Sequence, residues 1–91
     1  MFVVRCQDKP GHQQIRLDNR PAHLAFLNAH LDALVLAGPL LSDDRQAMIG
    51  SLLVFDIADR AALETVLAAD PYAQAGLFEQ VTVTPFKKVL P

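Results

Sequence analysis

Two side chains in this 91-residue sequence suit proton transfer, and they lie far apart in the chain: His23 and Asp70. An imidazole, with an unperturbed pKa of roughly 6.5, exchanges protons near neutrality if a carboxylate or a substrate reaches it. His23 stands four residues before Leu27 and eight before Leu31, so on a helix its ring leans toward the apolar side. A structural histidine bonded to a backbone carbonyl fits that pattern as well. Asp70 precedes Pro71 and reads as the end of a helix, where a carboxylate opposes the negative end of the dipole at a few tenths of a kcal/mol. Pro71 biases Asp70 out of the helical region. The pair Asp-Pro is either a plain helix stop or a carboxylate set to orient His23, since accepting from one ring nitrogen fixes the tautomer and makes the other a better base. Three further residues are candidates for contacting a substrate. Arg20 could bind an anionic group or pair with Asp70, beside its reading as a solvated arginine at a helix start. Ser51, after Gly50 in an apolar run, is a pocket hydroxyl or a core serine bonded to backbone. Tyr72 brings a phenol near Asp70, or caps the core as an aromatic.

Other chemistries find little support. Cys6 is the one cysteine, so neither an internal disulfide nor a zinc knuckle can form, and the cytosol is the expected compartment. Asp43 and Asp44 sit together without the spacing of a calcium loop, and His12 and His30 complete no metal-ligand pattern. No phosphate-binding glycine loop and no GxSxG is present, so the expectation is no metal and no cofactor. Net charge is −2 and the only adjacent basic pair is Lys87-Lys88, which argues against nucleic acid, whose binding needs a concentrated positive footprint. The N-terminus meets Asp8 and Lys9 early and lacks a signal-peptide core. The longest uncharged apolar stretch, residues 33–41, is about half a membrane span and is broken by Gly38-Pro39.

These residues need a scaffold, and the length allows one domain over residues 1–91. A 52% hydrophobic composition with mean hydropathy +0.23 excludes a disordered chain. Residues 2–6 read as a strand closed by the Asp8-Lys9-Pro10-Gly11 turn. Residues 12–19 are ambiguous, and Asn19-Arg20-Pro21 suits the first turn of a helix running to about Leu31, with His23, Leu27, His30 and Leu31 on one face. Strands at 34–38 and 47–56 pair across a polar loop, and Asp59 caps a helix with the stripe Leu63, Val66 and Leu67 that Asp70-Pro71 ends. After a loop holding Tyr72 and Gly76, residues 81–84 supply the last strand. The order βαββαβ predicts an α+β ferredoxin-like sandwich with a four-stranded antiparallel sheet.

One sheet face is covered by helices, and the other should then be polar. It is not: strict alternation sends Leu34 and Leu36 one way and Val35 and Ala37 the other, while Leu52 and Val54 oppose Leu53 and Phe55. Each large apolar side chain left in water forgoes roughly 1.5–3 kcal/mol of burial. The expected partner is a second copy packed sheet to sheet, with a crevice for a small-molecule ligand between protomers.

Phe2-Val3-Val4, Arg20-Pro21-Ala22-His23-Leu24, Leu36-Ala37-Gly38-Pro39-Leu40, Gly50-Ser51-Leu52, Asp70-Pro71-Tyr72 and Gly76-Leu77-Phe78 together resemble the YciI-like (YCII-related) family of small bacterial proteins. The resemblance spans nearly the whole chain. It implies a dimeric α/β barrel of ferredoxin-like subunits and an active site centred on a histidine and an aspartate, which fall on His23 and Asp70. It also implies kinship with a dehydrochlorinase acting on a chlorinated hydroxyquinol. The sequence departs from the family pattern at Asp43-Asp44-Arg45-Gln46, where a glycine is common. Two functions are therefore expected from different classes: a small cofactor-free lyase- or hydrolase-like enzyme, or a non-catalytic module that binds a small molecule in the same crevice.

Overall fold

The computed structural model describes all 91 residues. In chain order the elements are β1 (Phe2–Asp8), α1 (Gln13–Ala29), β2 (Leu34–Leu41), β3 (Met48–Phe55), α2 (Arg60–Ala68), α3 (Pro71–Gln74) and β4 (Phe78–Pro85). The strands form one sheet in the order β2-β3-β1-β4, every neighbouring pair antiparallel. This is the ferredoxin-like α+β arrangement expected from the element order. Phe2, Val4 and Cys6 alternate inward along β1 and join Leu53, Phe55 and Leu63 in the core.

Three local expectations are corrected. The helix carrying His23 begins at Gln13, so the ambiguous residues 12–19 are its first turns and Pro21 lies inside it. Proline there leaves the Leu17 carbonyl without its helical donor, and the helix tolerates this because Leu17 and Pro21 are both on the exposed side, where water serves that carbonyl. The buried stripe is Arg16, His23 and Phe26, while Leu31 lies past the helix end and is 60% exposed. Secondly, β2 does not stop at Gly38-Pro39 but continues to Leu41, which Pro39 permits because β2 is an edge strand.

Thirdly, a register shift between Leu34 and Leu36 sets Leu34 opposite Phe55 and Leu36 opposite Val54, so these two leucines lie on opposite faces rather than the same one. The covered face takes Leu34, Phe55, Leu53 and Val4; the other carries Leu36, Val54, Leu52 and Val3. Leu36 is half exposed there. The apolar character fades toward β4, which adds Thr82 and Thr84 opposite Arg5 and Val3. No helix is long and apolar enough to cross a membrane.

Candidate functional site

Asp70 is placed by its own backbone. Helix α2 ends at Ala68, Ala69 closes it, and Asp70 adopts an extended conformation (φ −64°, ψ 122°) that caps the next helix, α3, with Pro71 at its first position. The expectation of a carboxylate opposing a helix C-terminus is thereby corrected: Asp70 is an N-cap, and its Oδ1 accepts the Tyr72 N–H at 2.9 Å. A proline preorganised for a helix start and a following aromatic make this short turn, so Tyr72 lies in α3 and not in a loop.

The same Oδ1 accepts from His23 Nδ1 at 2.8 Å, and both side chains are nearly sealed, at 9% and 2% exposure. With a carboxylate as acceptor, Nδ1 carries the proton and Nε2 offers its lone pair. Nε2 has no protein partner and no side-chain nitrogen or oxygen is both sealed and unpaired, so Nε2 opens on space. That space is a cavity of about 120 Å3 lined by Arg16, Arg20, His23, Ser51, Tyr72 and the apolar groups of Leu24, Leu27, Pro39 and Met48. It approaches the roughly 150 Å3 void that accepts a benzene ring in another protein. The Tyr72 ring stacks on the imidazole with centroids 4.0 Å apart and planes 16° from parallel, which limits rotation of His23.

Another part of the cavity wall is built by a residue that sequence reasoning missed. Arg16 is 2% exposed, donates from Nε to Asp8 Oδ2 at 2.7 Å and from Nη2 to Asp8 Oδ1 at 2.8 Å, and gives its second Nη2 proton to Ser51 Oγ at 2.9 Å. Its guanidinium carbon sits 4.6 Å from the Tyr72 ring centroid. Burial alone would lower the Arg16 pKa, but the hydrogen bonds and charge of Asp8, with Tyr72 beside it, outweigh that and raise it. Burial raises the Tyr72 phenol too, against the opposing pull of Arg16, so the phenol stays protonated at neutral pH. The signal for Arg16 was its place seven residues, two helical turns, before His23 on the same face.

Of the five expected site residues, the fold gathers His23, Asp70, Ser51 and Tyr72. Ser51 bonds Arg16 rather than backbone. Arg20 lines the cavity from an exposed position and does not pair with Asp70, whose Oδ1 is already taken by His23 and Tyr72. Cys6 lies across the strand pair from Ser51, and burial, then the Asp70 charge, push its thiol up to about 12, which makes it an inert core group. No cluster of three or more His, Cys, Asp or Glu side chains is placed to hold a metal ion. A wider cleft of about 450 Å3 opens between β1 and the β2–β3 loop, bordered by Arg5, Lys9 and His12, but neither His23 nor Tyr72 reaches it. The smaller cavity is the candidate site because His23, hydrogen-bonded to Asp70, lines it.

Comparison with known proteins agrees with this architecture. The chain is 38% identical to the protein YciI of Escherichia coli O6:H1 over 96 aligned residues, covering 98% of each, and 35% identical to a protein of Haemophilus influenzae over 97% of each. Among solved structures it superposes on the 5-chloro-2-hydroxyhydroquinone dehydrochlorinase of Burkholderia phenoliruptrix, in complex with 2,5-dihydroxybenzoquinone, with a TM-score of 0.87 at 32% identity, covering 94% of this chain and 92% of that one. A cofactor-independent oxygenase of Streptomyces nogalater, SnoaB, shares the fold alone, with a TM-score of 0.61 at 21% identity over 99% of this chain and 94% of that one. The model of the YCII-related domain matches residues 1–87, and the chain therefore belongs to the YCII-related family.

Proposed function

We propose that this chain is a small acid–base enzyme of the lyase or hydrolase type in which His23 Nε2 takes a proton from a small ring substrate while Asp70 holds the opposite nitrogen. The observation that carries this reading is the 2.8 Å contact between His23 Nδ1 and Asp70 Oδ1, with the free ring nitrogen turned to a cavity of single-ring size. In an elimination the substrate proton passes to Nε2, the electron pair left behind moves into the substrate, and the leaving group departs as an anion with its bonding pair. Asp70 stabilises the imidazolium that forms, and water later removes the proton. The step balances with no oxidant, reductant or cofactor. The similarity to a dehydrochlorinase crystallised with a dihydroxyquinone favours this class and a hydroxylated ring as substrate. Ser51 and Tyr72 line the cavity and contact the ring, while Arg20 stands exposed at its rim.

The active unit in this reading is a homodimer joined through the open sheet face, where Leu36 is half exposed and Leu52 and Val3 are partly so. The test is release of halide or proton from a panel of halogenated and hydroxylated benzenes, wild type against His23→Gln. Loss of turnover by His23→Gln, with ring binding and melting temperature kept, supports the enzyme. Ring binding without turnover by the wild type itself would instead make the chain a binding module.

A further inference from the structure

The cavity wall is unusually rich in donors. Arg16 has five N–H groups: its Nε proton and both Nη2 protons are claimed by Asp8 and Ser51, which leaves the two Nη1 protons without a protein acceptor. Because no side-chain nitrogen in the molecule is both sealed and unpaired, Nη1 is accessible, and Arg16 borders the cavity. The Ser51 hydroxyl spends its oxygen accepting from Arg16, so its own proton is also free. The side-chain acceptors beside these groups are His23 Nε2 and the Tyr72 phenol oxygen, which interacts with Arg16 but leaves most of these donors unmatched. A ligand that satisfies this wall must bring oxygens with lone pairs, and a guanidinium already locked in plane by Asp8 rewards an anionic pair of them. The remaining lining, Leu24, Leu27, Pro39 and Met48, is apolar.

We infer that Arg16, clamped by Asp8, is the anion receptor of this cavity, and that it selects a planar single-ring ligand bearing an ionised oxygen, an enolate, phenolate or carboxylate. This rests on the proposed function for the identity of the site but not for its chemistry. Asp8 is a positioning residue: it touches no ligand, it neutralises the buried guanidinium and fixes which edge of it faces the cavity. Arg20, exposed at the rim, contributes little because its charge is solvated.

Binding equilibria test this without turnover. The probes are 2,5-dihydroxybenzoquinone, whose enols are vinylogous acids ionised at neutral pH, and hydroquinone, a neutral ring of the same size. Wild type is expected to prefer the anion by at least tenfold. The paired variant Asp8→Asn/Arg16→Gln removes both charges together, so no buried ion is left unpaired. It should bind hydroquinone as wild type does and lose roughly ten- to a hundredfold for the anion, whereas Arg20→Gln should change either affinity by less than about threefold. His23→Gln should abolish turnover and keep the preference, which separates failure of the reaction from failure of the receptor. On the unmutated protein, nitrogen-15 NMR should show the Arg16 guanidinium resonances moving on addition of the anion and not of hydroquinone. An unchanged Arg16 signal, an anion preference that survives the paired variant, or its loss in Arg20→Gln would overturn the inference.

Discussion

Asp70 Oδ1 accepts two hydrogen bonds at once, from the Tyr72 N–H at 2.9 Å and from His23 Nδ1 at 2.8 Å. The first is local, two residues along the chain, and the second spans 47 residues. A helix cap thus holds the carboxylate that meets the imidazole, and the cap and the proposed orienting role can be separated by substitution.

Asp70→Ala removes the cap and strands a buried imidazole donor, and should cost roughly 1–3 kcal/mol in urea unfolding. Asp70→Asn still offers a cap oxygen and should cost less than about 1 kcal/mol, while turnover falls in both because the neutral amide no longer stabilises an imidazolium. Equal stability of the two variants would show that the cap contributes nothing.

Asp8→Ala leaves Arg16 buried without its partner. Breaking such a pair costs about 3–5 kcal/mol, a large part of the 5–15 kcal/mol that holds a domain together. Denaturant unfolding should therefore place Asp8→Ala far below the paired Asp8→Asn/Arg16→Gln variant, and reversal of that order would contradict the buried ion pair.

The Cys6 thiol titrates near 12 in the folded protein against 9.0 ordinarily, so between those values the folded state holds a proton that the unfolded chain has lost. Its contribution to stability is fully present below pH 9 and is lost as pH rises toward 12, at a limiting slope of about 1.4 kcal/mol per pH unit. At pH 8 iodoacetamide should leave Cys6 untouched in native protein and alkylate it readily in denaturant. Rapid labelling of the native thiol would mean that Cys6 is not sealed.

Gly50 faces the Cys6 carbonyl so closely that a β-carbon would collide with backbone, which cannot swing aside as a side chain can. Gly50→Ala should destabilise by roughly 1–3 kcal/mol through displacement of β3 from β1, while Gly38→Ala, which meets open space, should cost much less. Melting temperatures of the two variants decide this.

Leu36→Asp sets a charge on the open sheet face without touching the core behind it. If two copies pack through that face, sedimentation at micromolar concentration should move from dimer to monomer while the helical circular dichroism is kept. A monomeric wild type would remove the dimer from the proposed function.

Residue type and helical phase made His23 and Asp70 candidates and the family resemblance joined them into one site, while the strand and helix order followed from β-rich runs broken by Gly and Pro. Arg16 stayed hidden because Gln13, Gln14, Asp18 and Asn19 around it look like a solvated surface, and an arginine reads as exposed until its carboxylate partner, Asp8 on another element, is placed beside it. Pro21 misled for a related reason: a helix-breaking residue is cheap where the orphaned carbonyl faces water, and which side faces water is a property of packing.

The sequence by itself determined the α+β order, the Asp59 cap, the turn after Asp8 and the apolar load on both sheet faces, since these rest on short-range sterics and on burial preferences of single residues. Only the tertiary structure decided that Asp70 caps α3 and meets His23, that Leu34 and Leu36 part across a bulge, and that Arg16 lies buried between Asp8 and Ser51. Those facts depend on distances between residues remote along the chain, and a hydrogen bond needs placement to a fraction of an ångström that no local propensity encodes.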